Sequence, residues 1–248
     1  MKRLRRVTEA EVISEFLKNE FYREEFHRDR AKFESLVLDA DITREDENLL
    51  RRALLFRRRG HMWRELPSDT QWWEVELDPE DLGKLRVFPR AQWRKVADGS
   101  FALRDIVQRI RNGKFSTKVD DFISKVHSLS YQLRFGHDVS SVIIIGEHDD
   151  SMKTILEGNH RLTAAMLAAP QSLHTHFRIF FGMSLRMDEV CWHHSSLRNL
   201  ARYVKNRLKH LGHDEDADLR RLPIPDQAVI PTTSSYAKAV GKALPESK

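Results

Sequence analysis

The clearest pattern of apolar and polar positions lies between residues 142 and 169. Val142–Ile145 is a short β-branched apolar run, residues 146–153 are polar and typical of a turn, and Thr154–Leu156 is a second apolar run. A segment rich in alanine and leucine follows within a few residues and favours a helix. Because short apolar runs bounded by turn residues are typical of strands, this stretch predicts a strand–turn–strand–helix unit.

Helical periodicity predicts most of the elements that precede this unit. Apolar residues recur at helical spacing over Glu9–Leu38, which predicts one or two helices. Thr43 marks the start of a further, arginine-rich helix, for which Gly60 is the predicted C-cap. Similar spacing predicts helices over Gly99–Arg111 and Asp121–Phe135.

Alternating patterns predict the remaining strands. Thr70–Leu77 alternates apolar with acidic residues, and His174–Phe181 alternates before it becomes apolar. Arg198–Leu211 has the spacing of an amphipathic helix, whereas the proline-rich stretch from Leu222 is predicted to be irregular. The strand and helix signals together predict an α+β protein.

Length and composition narrow the class of protein. At 248 residues, one large domain or a core with an added subdomain is expected. No apolar run is long enough to cross a bilayer, no apolar signal segment follows the basic N-terminus, and the single Cys191 excludes an internal disulfide. We therefore expect a cytoplasmic protein with no membrane partner. The net charge of +5 is compatible with nucleotides or nucleic acid.

The candidate chemistry lies where the second strand of the unit becomes a helix. Free backbone N–H groups on a first helical turn favour an anion. Gly158 allows close backbone approach, Asn159 can donate and accept hydrogen bonds, and Arg161 carries a guanidinium suited to a phosphate. His160 can donate to a phosphate oxygen or act as an acid or base. The residues alone are equally compatible with an ordinary helix start, in which Asn159 caps the helix and Arg161 pairs with a nearby acid.

Acidic residues supply the candidates for a base or a metal ligand. Glu157 could orient Arg161, coordinate a magnesium ion through a water, or serve as a base, and a simple ion pair with Arg161 explains it nearly as well. Glu76 or Asp78, after the first predicted strand, could activate an acceptor or hold a metal. For each single acid of that region, a solvent-facing strand edge followed by a helix cap is the simpler interpretation.

Other clusters are interpreted as structural. Residue types that bind zinc occur at Cys191, His193, His194, His174 and His176. The spacings that mark zinc sites are missing, so no metal site is predicted. Core packing is predicted, rather than stacking on a base, for Trp63, Trp72, Trp73 and Trp93. The arginines of Arg51–Arg59 are predicted to form a solvated helix face rather than a nucleic-acid patch.

The strand, the Gly-Asn-His-Arg turn and the alanine-rich helix together resemble the signature of the ParB/sulfiredoxin superfamily, over about Trp72 to Phe181. This resemblance implies a nucleotide-binding core with a small mixed sheet at residues 67–190. An N-terminal helical extension (1–66) and a C-terminal helix with an irregular tail (191–248) would flank it. The residues that the resemblance assigns to nucleotide phosphates are Gly158, Asn159, His160 and Arg161.

The resemblance also implies an activity. We expect an enzyme that uses ATP or another nucleoside triphosphate with Mg²⁺, either a phosphotransferase acting on an unidentified small-molecule acceptor or a hydrolase. The catalytic candidates are Glu157, His160 and Glu76. Sulfiredoxins carry a catalytic cysteine where this chain has Asn159, so sulfinate reduction is not expected. Chromosome-partition proteins carry a helix-turn-helix module after the nucleotide domain. The region after residue 182 predicts only one clear helix, which is too little for that module.

Two alternative functions stay open at this point. A ParB-like nuclease that binds DNA is supported by the basic segments Arg51–Arg59 and Arg202–Lys209. A non-catalytic nucleotide-sensing module would use the helices of Thr8–Gly60 as its interaction surface.

Overall fold

The structure is a computed structural model that describes residues 1–89, 91–113, 115, 119–135, 140–168 and 177–210. Its centre is a six-stranded sheet with the order β1-β2-β6-β4-β5-β3. The strands are β1 (Lys2–Val7), β2 (Gln71–Glu76), β3 (Leu85–Arg86), β4 (Ser141–Gly146), β5 (Lys153–Glu157) and β6 (Arg178–Met183). Parallel and antiparallel pairs both occur, so the sheet is mixed.

Helices cover both faces of this sheet. They are α1 (Glu9–Glu20), α2 (Arg30–Leu38), α3 (Glu45–Trp63), α4 (Pro79–Gly83), α5 (Ala91–Ala97), α6 (Leu103–Asn112), α7 (Asp120–Phe135), α8 (Asn159–Ala168) and α9 (Leu197–Lys209). Short 3₁₀ turns occupy Glu24–Asp29 and Met187–Glu189. The described residues therefore form a mixed α/β fold. Within them, no helix combines the length and the hydropathy that crossing a membrane requires.

Strand β4 lies in the middle of the sheet and explains its layered packing. It pairs antiparallel with β5 and parallel with β6. Every residue of β4 is buried, as expected for a strand that is covered on both faces. Ile143 and Ile145 pack in the core formed with α1, α2 and α3, whereas Val142 and Ile144 pack in the core formed with α5 to α8. Alternation along one strand thus serves two separate cores.

Residues 1–66, which were expected to form a helical extension, also contain a strand that the sequence patterns did not predict. Residues 2–7 pair antiparallel with β2, through Arg3 opposite Val75 and Arg6 opposite Trp73. Only Val7 of this strand is buried. A strand of this kind carries almost no apolar alternation, and charged side chains are typical of a sheet edge. Periodicity therefore does not detect it, and the N-terminal segment is joined to the sheet.

Helix α3 differs from its prediction at two positions. Gly60 is not a C-cap, because the helix continues to Trp63 and the Gly60 carbonyl accepts the N–H of Arg64 at 2.9 Å. Arg51 is not solvated but fully buried, and its Nε donates to the Leu36 carbonyl at 2.8 Å. The solvated-face interpretation is wrong for Arg51, because α3 packs against both α1 and α2 and that side chain satisfies backbone groups between them.

Most other predicted elements are confirmed, with shifts of a few residues at their ends. Thr70–Leu77 is observed as β2, Gly99–Arg111 as α6, Asp121–Phe135 as α7, and Arg198–Leu211 as α9. The patterns did not predict β3 or α5. His174, His176 and the tail from Leu222 lie outside the described residues.

Candidate functional site

Gly158 connects β5 to α8 in a conformation that other residues rarely adopt. Its φ is 92°, and a Cβ atom built there would lie 2.9 Å from Cγ2 of Val142. Its carbonyl accepts the N–H of Leu162 at 2.8 Å, which closes the first turn of α8. The glycine therefore lets the chain turn sharply while it stays packed against β4.

Asn159 fastens this turn to the segment after β3. Its Oδ1 accepts the backbone N–H of Phe88 at 2.8 Å, and its Nδ2 donates to the carbonyl of Ile155 at 3.2 Å. Both ends of the amide are used by the backbone, so the side chain has a positioning role. Thr163, one turn later, is buried and its hydroxyl donates to the carbonyl of Asn159 at 2.7 Å.

His160 lies between two aromatic rings. Its ring centroid is 5.1 Å from that of Trp93 and 5.1 Å from that of Phe122. Burial lowers the pKa of His160 to about 4, and the positive charges of Lys125, Arg23 and Arg161 lower it further in the same direction. The imidazole is therefore neutral near pH 7 and can offer a hydrogen bond, but it is not a charged acid.

Arg161 is held by side chains from two distant parts of the chain. Its Nη2 donates to Oε1 of Glu157 at 3.1 Å, and its Nη1 donates to Oδ1 of Asn19 at 3.0 Å. Asn19, at the end of α1, also donates from Nδ2 to the carbonyl of Ser141 at 2.9 Å. The ion pair with Glu157 was among the sequence interpretations, whereas nothing in the sequence pointed to Asn19.

A second ring of charges surrounds this pair. Glu20 is buried and makes ion pairs with Arg23 at 2.7 Å and with Arg59 at 2.6 Å. Arg23 is also 4.0 Å from Glu157, and its side chain is 45% exposed. Burial raises the pKa of Glu20, and the charge of Glu157 raises it further. We name Asn19, Glu20, Arg23, Arg59, Glu157 and Arg161 the turn cluster.

The turn cluster carries three guanidinium groups and two carboxylates, as its ion pairs show. The N-terminus of α8 adds a partial positive charge from its backbone dipoles. The exposed side chain of Arg23 borders the solvent side of this group. The arrangement is chemically suited to an anion that approaches the first turn of α8.

Glu76 is not brought to this site. It lies at the end of β2, which is separated from β5 by β6 and β4. Three strand spacings correspond to roughly 14 Å across a sheet. Its carboxylate instead pairs with Nζ of Lys2 at 3.2 Å. Asp78 accepts the N–H groups of Glu80 and Asp81 as the N-cap of α4, which confirms the interpretation as a helix cap.

The residue types that suggested zinc do not form a metal site in the described part of the chain, where no three potential ligands lie close enough to hold an ion. Cys191 is buried, and burial raises the pKa of its thiol. His193 is also buried, and its Nδ1 lies 3.1 Å from Oγ1 of Thr154. Burial lowers the pKa of His193 to about 3, so it is a neutral, hydrogen-bonded core residue.

The tryptophans are core residues rather than a stacking platform. Trp63 and Trp72 stack on each other at 5.7 Å and are buried on the face covered by α1 to α3. Trp93 is buried on the opposite face, with Phe122 against it. The sheet therefore separates residues that are close in sequence.

Comparisons of the chain with protein-family models, with curated proteins and with solved structures found no match.

Proposed function

We propose that the turn cluster binds the phosphates of a nucleoside triphosphate. The observation that carries this proposal is that Arg161, on the first turn of α8, and Arg23 both lie within ion-pair distance of Glu157. Fixed guanidinium groups and the N-terminus of a helix both favour phosphate oxygens. Arg23 is the exposed guanidinium of the turn cluster, so it would meet the phosphates first.

The strand–turn–strand–helix unit supports a finer proposal for the fold. β4, β5 and α8 follow one another as the Gly-Asn-His-Arg resemblance implies. We propose that residues 67–190 are a ParB/sulfiredoxin-like core in which β1 and α1 to α3 complete one face. Asn19 and Glu20 on α1 then contribute to the nucleotide site from outside this core.

Each residue of the turn would have a separate role in binding the nucleotide. Gly158 and Asn159 shape the backbone, His160 donates one neutral hydrogen bond, and Arg161 contacts a phosphate while Glu157 orients it. Glu76 is too distant to be the base in this scheme, so we assign that role to Glu157. Its carboxylate would take the proton of an acceptor hydroxyl or of a water.

Magnesium is the ion that this chemistry ordinarily requires, because it neutralises charge on the phosphates. Mg²⁺ is commonly held by one or two carboxylates together with substrate phosphates. Glu20 and Glu157 are the carboxylates of the cluster, and both are already paired with arginines. These carboxylates therefore form no separate site for the ion, which would arrive bound to the nucleotide.

The two basic segments, in α3 and α9, offer little support for the alternative function of DNA binding. In α3, Arg51 is buried and Arg59 pairs with Glu20. In α9, the exposed cations share the helix surface with exposed apolar side chains such as Leu197 and Leu208. Exposed leucine and valine side chains beside these cations favour a partner with an apolar layer over a phosphate backbone alone.

The proposal is tested by titrating ATP, CTP and GTP, with and without Mg²⁺, against the full chain by calorimetry and thermal shift. A nucleotide that binds the native state raises the melting temperature. Arg161→Ala should weaken binding by about 10-fold to 100-fold, because a charge-assisted hydrogen bond contributes roughly 1.5–3 kcal/mol. Arg104→Ala is the matched control, since Arg104 lies in the first turn of α6 and its side chain is 75% exposed.

Two results would remove the proposal. One is that no nucleotide stabilises the protein. The other is that Arg161→Ala keeps its far-ultraviolet circular dichroism spectrum and binds as tightly as the control.

A further inference from the structure

Helix α9 is attached to the rest of the protein by its polar side. Asn199 donates from Nδ2 to the carbonyls of Asp188 at 2.7 Å and His194 at 2.8 Å. Asn206 donates to Oε1 of Glu65 at 2.9 Å, and the ring of Tyr203 meets that of Trp192 at 4.7 Å. The usual arrangement of a surface helix, in which the apolar side faces the core, is therefore reversed.

The outward side of α9 is an apolar stripe. Its large members are Leu197, Leu200, Val204 and Leu208, whose exposed fractions are 87%, 49%, 47% and 62%. Ala201 lies between them and lines the same shallow surface. These positions share one face of the helix, which at 13 residues is about 20 Å long. A continuous exposed stripe of this kind marks an interaction surface more often than isolated apolar residues do.

Basic residues flank the stripe on both sides. On an ideal helix, Arg198, Lys205 and Lys209 fall on one flank and Arg207 falls on the other. Arg202 is paired with Glu189, whereas no carboxylate among the described residues pairs with the other four cations. The helix contains no acidic residue. The surface is therefore apolar in the middle and cationic at its margins.

The apolar stripe and its cationic flanks together favour one kind of partner over the others that could bind an apolar surface. A second copy of α9 would place cations against cations on both flanks, which is unfavourable. A groove that encloses a helix cannot form around α9, because the body of the protein covers the side of Asn199, Tyr203 and Asn206. A flat surface with anionic groups above an apolar layer satisfies both the stripe and its flanks.

We propose that α9 docks flat on an anionic lipid surface. The leucine and valine side chains would enter the boundary between headgroups and acyl chains, and the flanking cations would meet lipid phosphates and carboxylates. A helix that lies in the interface does not need the length of a membrane-spanning segment. The sequence expectation of no membrane partner rested on that length and does not address this mode. The proposal is independent of nucleotide binding.

Sedimentation of the full chain with vesicles tests this proposal. Vesicles of phosphatidylcholine with about 30% phosphatidylserine should bind the protein, and vesicles of phosphatidylcholine alone should bind it at least tenfold less. The double variant Leu200→Gln/Val204→Gln should lose at least tenfold in binding. Lys205→Gln should lose about fivefold, because one cation near an anionic surface contributes about that factor. Leu49→Gln is the control, because Leu49 is a 54% exposed leucine on α3.

Three results would overturn the proposal. The first is the absence of vesicle binding by the full chain, and the second is equal binding to anionic and neutral vesicles. The third is light scattering that shows a dimer which Leu200→Gln/Val204→Gln converts to a monomer, since that result assigns the stripe to a second copy. All of the substituted side chains are exposed, so loss of fold is not expected, and circular dichroism checks this for each variant.

Discussion

Replacing Gly158 by alanine tests how tightly the turn is packed. The new Cβ would lie 2.9 Å from Cγ2 of Val142, at a φ of 92°. A positive φ costs an alanine about 1–2 kcal/mol, and forcing a methyl group into a packed core costs about 1–3 kcal/mol. We therefore expect Gly158→Ala to lower the free energy of unfolding by about 2–5 kcal/mol. That is a large part of the roughly 5–15 kcal/mol typical of a domain.

Gly113→Ala separates the cost of the positive φ from the cost of the clash with a neighbouring side chain. Gly113 also has a positive φ, 62°, but nothing lies within 4 Å of a Cβ built there. It should therefore lose only the conformational part, about 1–2 kcal/mol. Urea unfolding followed by circular dichroism measures both values. A second variant, Val142→Ala, removes the clashing methyl group, so combining it with Gly158→Ala should cost about 1–2 kcal/mol less than the sum of the single changes. Equal losses for Gly158→Ala and Gly113→Ala, or strict additivity in the cycle, would refute the packing argument.

Two further changes test the charges inside the fold. Arg51→Ala should destabilise by about 3–5 kcal/mol in urea unfolding, because Glu47 keeps only the half-exposed Arg44 as a partner and the carbonyl of Leu36 loses its buried donor. A loss no larger than that of Arg104→Ala would contradict this. The pKa of His160 is lowered from 6.5 to about 4, so the unfolded chain binds the extra proton between these values. Stability should fall by roughly 3 kcal/mol as the pH drops through that window. His160→Phe should flatten this part of the profile relative to wild type, and an unchanged slope would show that His160 is not buried neutral.

The local pattern of the chain determined the elements around the candidate site. Two apolar runs separated by polar turn residues became β4 and β5, and Gly158 stands where β5 passes into α8. These features depend on residues close in sequence, since alternation and helical spacing act over one or two turns. The same local logic identified α1, α2, α6, α7 and α9 to within a few residues.

Tertiary structure alone decided which polar groups meet. Asn19 reaches Arg161 across 142 positions of the chain, and Arg51 is buried only because α1 and α2 pack around α3. Glu76 is excluded from the turn because β6 and β4 lie between its strand and β5. Strand order and helix packing are set by burial of apolar surface over the whole domain. The apolar periodicity of a segment shows which of its faces is buried, but it does not show which distant residues will contact that face.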